Sequence, residues 1–590
     1  MQQNPRNSRC LKKVWLNVFL FCMISMVLGF VFKPSTISLA SLSPAEESAV
    51  SRIFLPLVIT SPSLSPAGTP EPPTEPPTPT TNLKEWSQDA HDPQRSGYII
   101  DEPVQPWTLL WTWNGPDSNG GTGGHFYNAP REARTITGGK YVYVPAGSKG
   151  LFALSKTNGS RAWNLTDTSF NATPAYDPET GYLYAGGSDG RLYKIEAGSG
   201  KVDKTYSAGD ALNKSVLLAG DSAYVLTKGG QLHRVRTTDM SRIWIYSANS
   251  ESAIPPAYSN AKGVVVFATK DLYVHAVNAS DGAQKWRVKP TPNPAQFPYT
   301  YEGYWPVIAE KHGIVFVRLN LGMDGLWSGP GTKNLYPKSN SDTRAFLQAN
   351  PKWKNLFALN LDNGSESFIP AVGYGGVEAL IDGKPVLDVG PVPVVRVLPD
   401  GKEVAYIHFR SGQGDPPDGR WDSHMGEMAL DGSTVPGLSA GDLRFVKFSN
   451  SYVKITDEQT PLTMAGNTIF HAHWGASESV RITDRSNSRG LSYSNPIDTK
   501  ANPAIIRRMQ SCSNFNPGTH YTSCGLTLYD DGRYWNGPGW WVYWNVLDPP
   551  TPSRRAYSEG ILPRYTYVSD GLIIVEGNGG ELFVLKHSSP

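Results

Sequence analysis

At 590 residues the chain is too long for one ordinary compact core, which leaves several domains or one large repeat array. Charged residues make up 18% and aromatics 11%, with 58 glycines and 48 prolines, a turn-rich mixture that favours β structure over helical bundles. The formal charge is +2, from 54 basic against 52 acidic residues, so no basic track marks a nucleic-acid partner and none is expected.

The chain opens with Arg6, Arg9, Lys12 and Lys13, followed by the apolar run VWLNVFLFCMISMVLGFVF at 14–32. Ser38-Leu39-Ala40 then has the small-x-small form of a signal-peptidase site. The run is long for a signal core and about long enough to cross a bilayer. Residues 1–40 are therefore expected to be a signal peptide or an N-terminal hydrophobic helix attaching the chain to a membrane through 14–32. Both outcomes place the bulk of the chain outside the cytoplasm, secreted or anchored, because the positive flank stays inside. Cys22 lies within the apolar run rather than just after it, which argues against a lipoprotein. Residues 41–84 follow as a linker, with PSLSPAGTPEPPTEPPTPTTN at 62–82 too poor in apolar residues to build a core. This linker is expected to be disordered and extended.

From about residue 85 the chain repeats. Leu151-Phe152-Ala153-Leu154 recurs at Leu192-Tyr193-Lys194-Ile195, Leu232-His233-Arg234-Val235, Val274-His275-Ala276-Val277, Leu356-Phe357-Ala358-Leu359 and Leu582-Phe583-Val584-Leu585. The first three steps lie near 40 residues, the period of β-propeller blades. Within a unit, a glycine precedes an alternating strand such as YVYV after Gly139 or YLYA after Gly181. A tight turn such as Asp189-Gly190 comes next, suited to the positive φ of hairpins. After the Leu-aromatic-x-Leu strand, a second turn leads to an aromatic residue: Gly159 to Trp163, Gly282 to Trp286 and Gly364 to Phe368 share a four-residue step. The tryptophans are expected to fill the space between blades. Gly200 is followed by Lys204 instead, and that blade is expected to pack differently.

The Leu-(Phe/Tyr)-Ala-Leu strand, the Asp/Asn-Gly turn and the tryptophan four residues on resemble the pyrroloquinoline-quinone (PQQ) repeat. The opening W-S-Q-D-x-x-x-x-x-R-S-G-Y at 86–98 and LLWTWN at 109–114 also resemble how such propellers begin. The resemblance implies an all-β, PQQ-like propeller over 85–590, of the quinoprotein type. Units centred near 150, 190, 230, 272, 340, 410, 470 and 575 favour eight four-stranded blades, with seven as the alternative. The strand at 109–114 is expected to complete the sheet that ends at 582–586 and so close the ring. Insertions are expected at 318–354, 410–424 and 485–562, projecting from one rim.

Quinoprotein dehydrogenases of this fold resemble one another in an adjacent Cys-Cys pair, a Glu/Asn/Asp calcium set and a catalytic Asp. The chain has no adjacent cysteines, and no blade carries the calcium set by motif. No catalytic residue, cofactor or metal is assigned, and PQQ with calcium stands only as an alternative. Cys512 and Cys524, the pair left outside the leader, are expected to form a disulfide, the alternative being two free thiols. His471 and His473 lie two apart on a strand and share a face, suited to metal ligation if a carboxylate joins them, or simply to a wet sheet face. Asp422, His424 and Glu427 form a loose cluster read as solvated. Trp535, Trp540, Trp541 and Trp544 are candidates for stacking on sugar rings or anchoring a protein, or for covering their own insertion. The combined expectation is an extracytoplasmic, monomeric, non-catalytic module that binds a protein or glycan. A quinone-dependent dehydrogenase and an envelope assembly scaffold are the alternatives.

Overall fold

The architecture is taken from a computed structural model. It describes residues 84–587 apart from 104–106, 114, 117–129, 131, 297–298, 322–336, 374–377, 382–383, 388–391, 412–421, 449–450, 453, 456–460, 474–475, 485–489, 495–532, 536–539, 543–562 and 578–581. The leader, the linker, Cys512, Cys524 and Trp544 lie outside the described residues. Among the described residues no helix is long and apolar enough to cross a membrane.

Eight antiparallel four-stranded units follow one another, so the eight-bladed reading holds. Blade 1 runs through Ile136–Gly138, Tyr141–Pro145, Leu151–Ser155 and Arg161–Leu165. Blades 2, 3 and 4 begin at Ala175–Asp177, Leu217–Ala219 and Ala257–Ser259. Blade 5 begins at Val307–Ala309, blade 6 at Val394–Val397, blade 7 at Thr463–Ala465 and blade 8 at Pro563–Ser569. Blade 8 takes its fourth strand from the other end of the chain: Trp107–Trp113 lies antiparallel to Leu582–His587. This closure leaves no outer blade to act as an open edge. Even the irregularity of the repeat is reproduced. The pairing between third and fourth strands slips at Ala153/Leu154, Ala276/Val277 and Ala358/Leu359, and at Leu109/Trp111 in the closing strand.

In blades 1, 3, 4, 5 and 8 an aromatic ring of the fourth strand is aimed at the neighbouring blade. The indoles of Trp111, Trp163, Trp244 and Trp286 each donate a hydrogen bond to a backbone carbonyl of the next blade, those of Lys156, Ala197, Ala279 and Leu361, at 2.8–2.9 Å. Each ring lies flat over a glycine of that blade. A Cβ added at Gly159, Gly200, Gly282 or Gly364 would stand 2.6–2.8 Å from the indole, and one at Gly441 would meet Phe368 at 2.8 Å. The Gly-to-Trp step read in the sequence is therefore two halves of two different contacts: the glycine receives the previous blade's ring, and the tryptophan covers the next blade's glycine. Blade 2 lacks the ring, since Lys204 stands there, and blade 3 correspondingly lacks the glycine. Met240 occupies its place at φ 60° and is buried against Tyr184, Leu192 and Val235. With no indole above it, the site both admits and needs a side chain.

Two features depart from a regular ring. Blades 6 and 7 merge into one sheet, because their outermost strands Leu443–Phe448 and Gly490–Ser494 pair in parallel. The insertion between the second and third strands of blade 5 carries a helix, Asn340–Ala349, capped by Ser339 and tied to blade 6 by reciprocal bonds between Asn340 and Leu443. The expected insertion bounds also shift. Asp422–Ala429 is the third strand of blade 6, so the interruption there is 412–421, and the region from 485 is split by the strand Gly490–Ser494.

Candidate functional site

The first strand of each blade is an open edge facing the axis of the ring. Its second residue points its N–H away from the second strand and needs a partner. Residues 84–99 supply those partners almost blade by blade. Thr137, Tyr176, Tyr258, Ile308, Val395 and Met464 donate to the carbonyls of Trp86, Ser87, Pro93, Gln94, Ser96 and Gly97 at 2.7–2.9 Å. Leu218 N donates to Gln88 Oε1 at 3.1 Å, and Asp570 N to Lys84 O at 2.7 Å. The segment ends by pairing Tyr98–Ile99 in parallel with Met464 and Ala465. All eight blades are thus touched by one segment of the chain, and the motif WSQDAHDPQRSGY is the hub of the ring.

The hub's side chains are engaged as fully as its backbone. Trp86 is fully buried against Tyr567 and Tyr565, with centroids 5.2 and 6.3 Å away. Arg95 is fully buried, donating through Nε to Pro256 O at 2.6 Å and through Nη1 to Asp89 O at 3.0 Å. Its guanidinium stands 3.4 Å from the Asp89 carboxylate, which also accepts from Ser215 Oγ at 2.7 Å. Burial pulls the Arg95 pKa below its ordinary value, opposed by Asp89 and reinforced by Arg134. Burial likewise pushes the Tyr565 and Tyr567 hydroxyls upward.

Above this core, Asp89, Glu132, Arg134, Ser215, Pro255, Gly303 and Tyr304 line a recess of about 220 Å³, a figure that includes space open to solvent. Arg134 lies over the Trp305 ring at 4.4 Å, and Glu132 is ion-paired with Lys214. Except for Asp89, the lining comes from connections that enter the first strands, so the recess lies on the face carrying the blade-to-blade connections and the second-to-third turns. Segments 114–135, 319–355, 369–393, 412–421 and 495–562 leave and rejoin the blades on that same face. The expectation of one insertion-bearing rim holds for the points of departure.

The axial residues do not fit a quinone and calcium. Trp86, Ala90 and Arg95, all at 0% exposure, fill the axis. Among the described residues, the recess at its mouth encloses room for about one water molecule, the rest of its space being open to solvent.

The candidates named from sequence are dispersed. His471 and His473 sit on the second strand of blade 7, opposite Glu478 and Ala476. Trp535 pairs with Trp540, and Tyr534 with Trp541, in a two-stranded hairpin of Arg533–Trp535 with Trp540–Val542. Asp422, His424 and Glu427 fall within one strand, Asp422–Ala429, rather than on a loop, and Glu427 is not solvated. Glu427 is fully buried, accepting from Tyr406 at 2.6 Å and paired with Arg444 at 2.8 Å. Sequence reading passed over the hub. The clustering of Trp86, Gln88, Asp89, Arg95 and Gly97 just ahead of the first repeat was the available signal.

Comparison with known proteins agrees on the repeat. A family profile described as outer membrane protein assembly factor BamB matches residues 150–296, and the repeat is of the PQQ type. No curated protein matches the chain. Among solved structures, BamB from Moraxella catarrhalis aligns at 10% identity and a TM-score of 0.42, covering 82% of this chain and 100% of that one. The quinohemoprotein alcohol dehydrogenase from Comamonas testosteroni aligns at 12% identity and a TM-score of 0.43, covering 86% and 81%.

Proposed function

We propose that this eight-bladed PQQ-type propeller is a non-catalytic interaction module of the cell envelope, engaging a protein through the face that bears its insertions. One observation carries the reading: the long non-repeating segments depart from one face of a ring whose axis is filled by its own chain. A scaffold that spends its axis on internal contacts leaves recognition to the segments that escape the repeat. Trp535, Trp540 and Trp541 lie on one of those segments, and aromatic residues of this kind dominate protein interfaces. The description of the matching family profile, an outer membrane assembly factor, supports an envelope location and an assembly partner.

The test compares the full chain with Trp540→Ala/Trp541→Ala and with a form whose 498–560 is replaced by a short turn. Partners captured from an envelope fraction are purified and their affinities remeasured, with a glycan array run in parallel. The expected result is one protein bound by the full chain and at least tenfold more weakly by both variants. Undiminished binding places the interface elsewhere, and glycan binding without a protein replaces the partner class. Dye-linked alcohol or sugar oxidation after addition of PQQ and calcium would replace the reading altogether.

A further inference from the structure

We propose that the ring of inward N–H groups is a peptide-binding site whose resident ligand is the segment Lys84–Ile99, and that the eight blades close around it. The recognition is by main chain. Six carbonyls and one Gln88 amide are spaced so that the second residue of seven successive first strands finds an acceptor, with Lys84 O serving blade 8. The segment serves seven blades with acceptors at 86, 87, 88, 93, 94, 96 and 97, so each step to the next blade takes one or two residues except the five from Gln88 to Pro93. There, at Asp89–Asp92, it turns back on itself through Gly97 N to Ala90 O and His91 N to Gln88 O.

Two further observations mark the segment as a ligand held in place rather than a passive filler. Backbone strain is concentrated in it: of seven non-glycine residues with positive φ among the described residues, three are Ala90, His91 and Arg95. Such strain persists only where surroundings over-determine the conformation. Second, its one fully buried cation is spent on joining blades. Arg95 holds the connection into blade 4 through Pro256 O and, through Asp89 and Ser215, the connection into blade 3. Contacts that tie sequence-distant blades to one short strip are formed together or lost together. Each blade alone leaves its inner edge unpaired, and only the closed ring presents all the donors at once. A consequence follows for the N-terminal arm. Whatever is joined to the chain ahead of Lys84 is joined to all the blades, since the arm enters the fold at the hub.

The test uses the full chain with a site-specific protease sequence placed between Glu102 and Trp107, cut only after folding. The N-terminal fragment should stay with the ring through gel filtration. Amide exchange at Thr137, Tyr176, Leu218, Tyr258, Ile308, Val395 and Met464 should remain slow in the cut protein. When mild denaturant releases the fragment, those seven amides should lose protection together, and a synthetic peptide of residues 84–99 should restore it. A peptide carrying Arg95→Ala should bind at least tenfold more weakly. A ring that unfolds on release also supports the proposal. The proposal is overturned if the fragment leaves while the ring keeps its melting temperature, or if the seven amides lose protection blade by blade. Equal binding of a scrambled peptide overturns it too.

Discussion

The sharpest test of the blade-to-blade contact is Gly282→Ala, set against Gly263→Ala in the same blade. Both glycines have positive φ, 76° and 58°, so both substitutions force an alanine into the left-handed region at about 1–2 kcal/mol. At Gly263 a Cβ has nothing within 4 Å, and the backbone term is the whole effect. At Gly282 the Cβ would stand 2.7 Å from the Trp244 ring, with two more ring atoms at 2.9 Å. The indole cannot yield freely, because its Nε1 is bonded to Ala279 O at 2.9 Å. Moving it loses that bond, about 1 kcal/mol, and overpacks the seam by about another 1–3 kcal/mol. Gly282→Ala should therefore cost about 2–4 kcal/mol more than Gly263→Ala. At about 2.1 cal/mol/K of unfolding entropy per residue, a domain of this size shifts by about 1 °C per kcal/mol, which separates the two melting midpoints by about 2–4 °C. Calorimetry or tryptophan fluorescence during heating reads the difference between the two midpoints. Equal losses from the two substitutions would refute the argument that the glycine is there to receive the ring.

Three other outcomes follow, one from the same seams and two from histidines. Lys204→Trp should destabilise the protein because Met240 occupies the ground an indole needs, and adding Met240→Gly should recover most of the loss; a double mutant no better than the single counts against the pairing. His233 and His275, bonded through Nδ1 to Tyr206 and Tyr246 at 2.9 and 3.0 Å, are held by burial at a pKa of about 4. Above pH 6.5 they are neutral folded or unfolded. Below it the unfolded chain takes up protons the folded one refuses, so stability should fall between pH 6.5 and 4, by up to about 3 kcal/mol per histidine. His312 has the opposite sign, since Glu403 at 2.8 Å and Asp431 at 3.1 Å raise its pKa. Its contribution is complete below pH 6.5 and lost as pH rises through the raised folded value. Denaturant midpoints against pH should lose the acid limb in His233→Asn/His275→Asn and the upper limb in His312→Gln, and unchanged profiles would rule out these assignments.

Much of the architecture was legible from residue order because a propeller writes its blade several times. Strand alternation, the hairpin glycines and the Leu-aromatic-x-Leu strand are local, and local preferences repeated near every 40 residues identify blades without any knowledge of their neighbours. The ring closure of Trp107–Trp113 onto Leu582–His587 was readable for the same reason: a unit short of one strand at one end matched a strand in excess at the other. Even the irregular seam announced itself at Lys204, although its answer at Met240 did not. That answer lies in the following blade, and only packing says which glycine serves which tryptophan. Glu427 was misread because the segment around it looked like an exposed insertion, whereas it is a strand that buries Glu427 against Tyr406 and Arg444. The hub was harder to read for a different reason, with only the clustering of Trp86, Gln88, Asp89, Arg95 and Gly97 to point to it. Its partners are backbone N–H groups, which every non-proline residue possesses, so a main-chain interaction leaves almost no mark on residue identity. Sequence by itself determined that this chain builds a ring of similar wedges, eight favoured over seven, and where the repeat is broken. Only the tertiary structure decided what stands at their centre, because that depends on edges that exist once the wedges are in a ring.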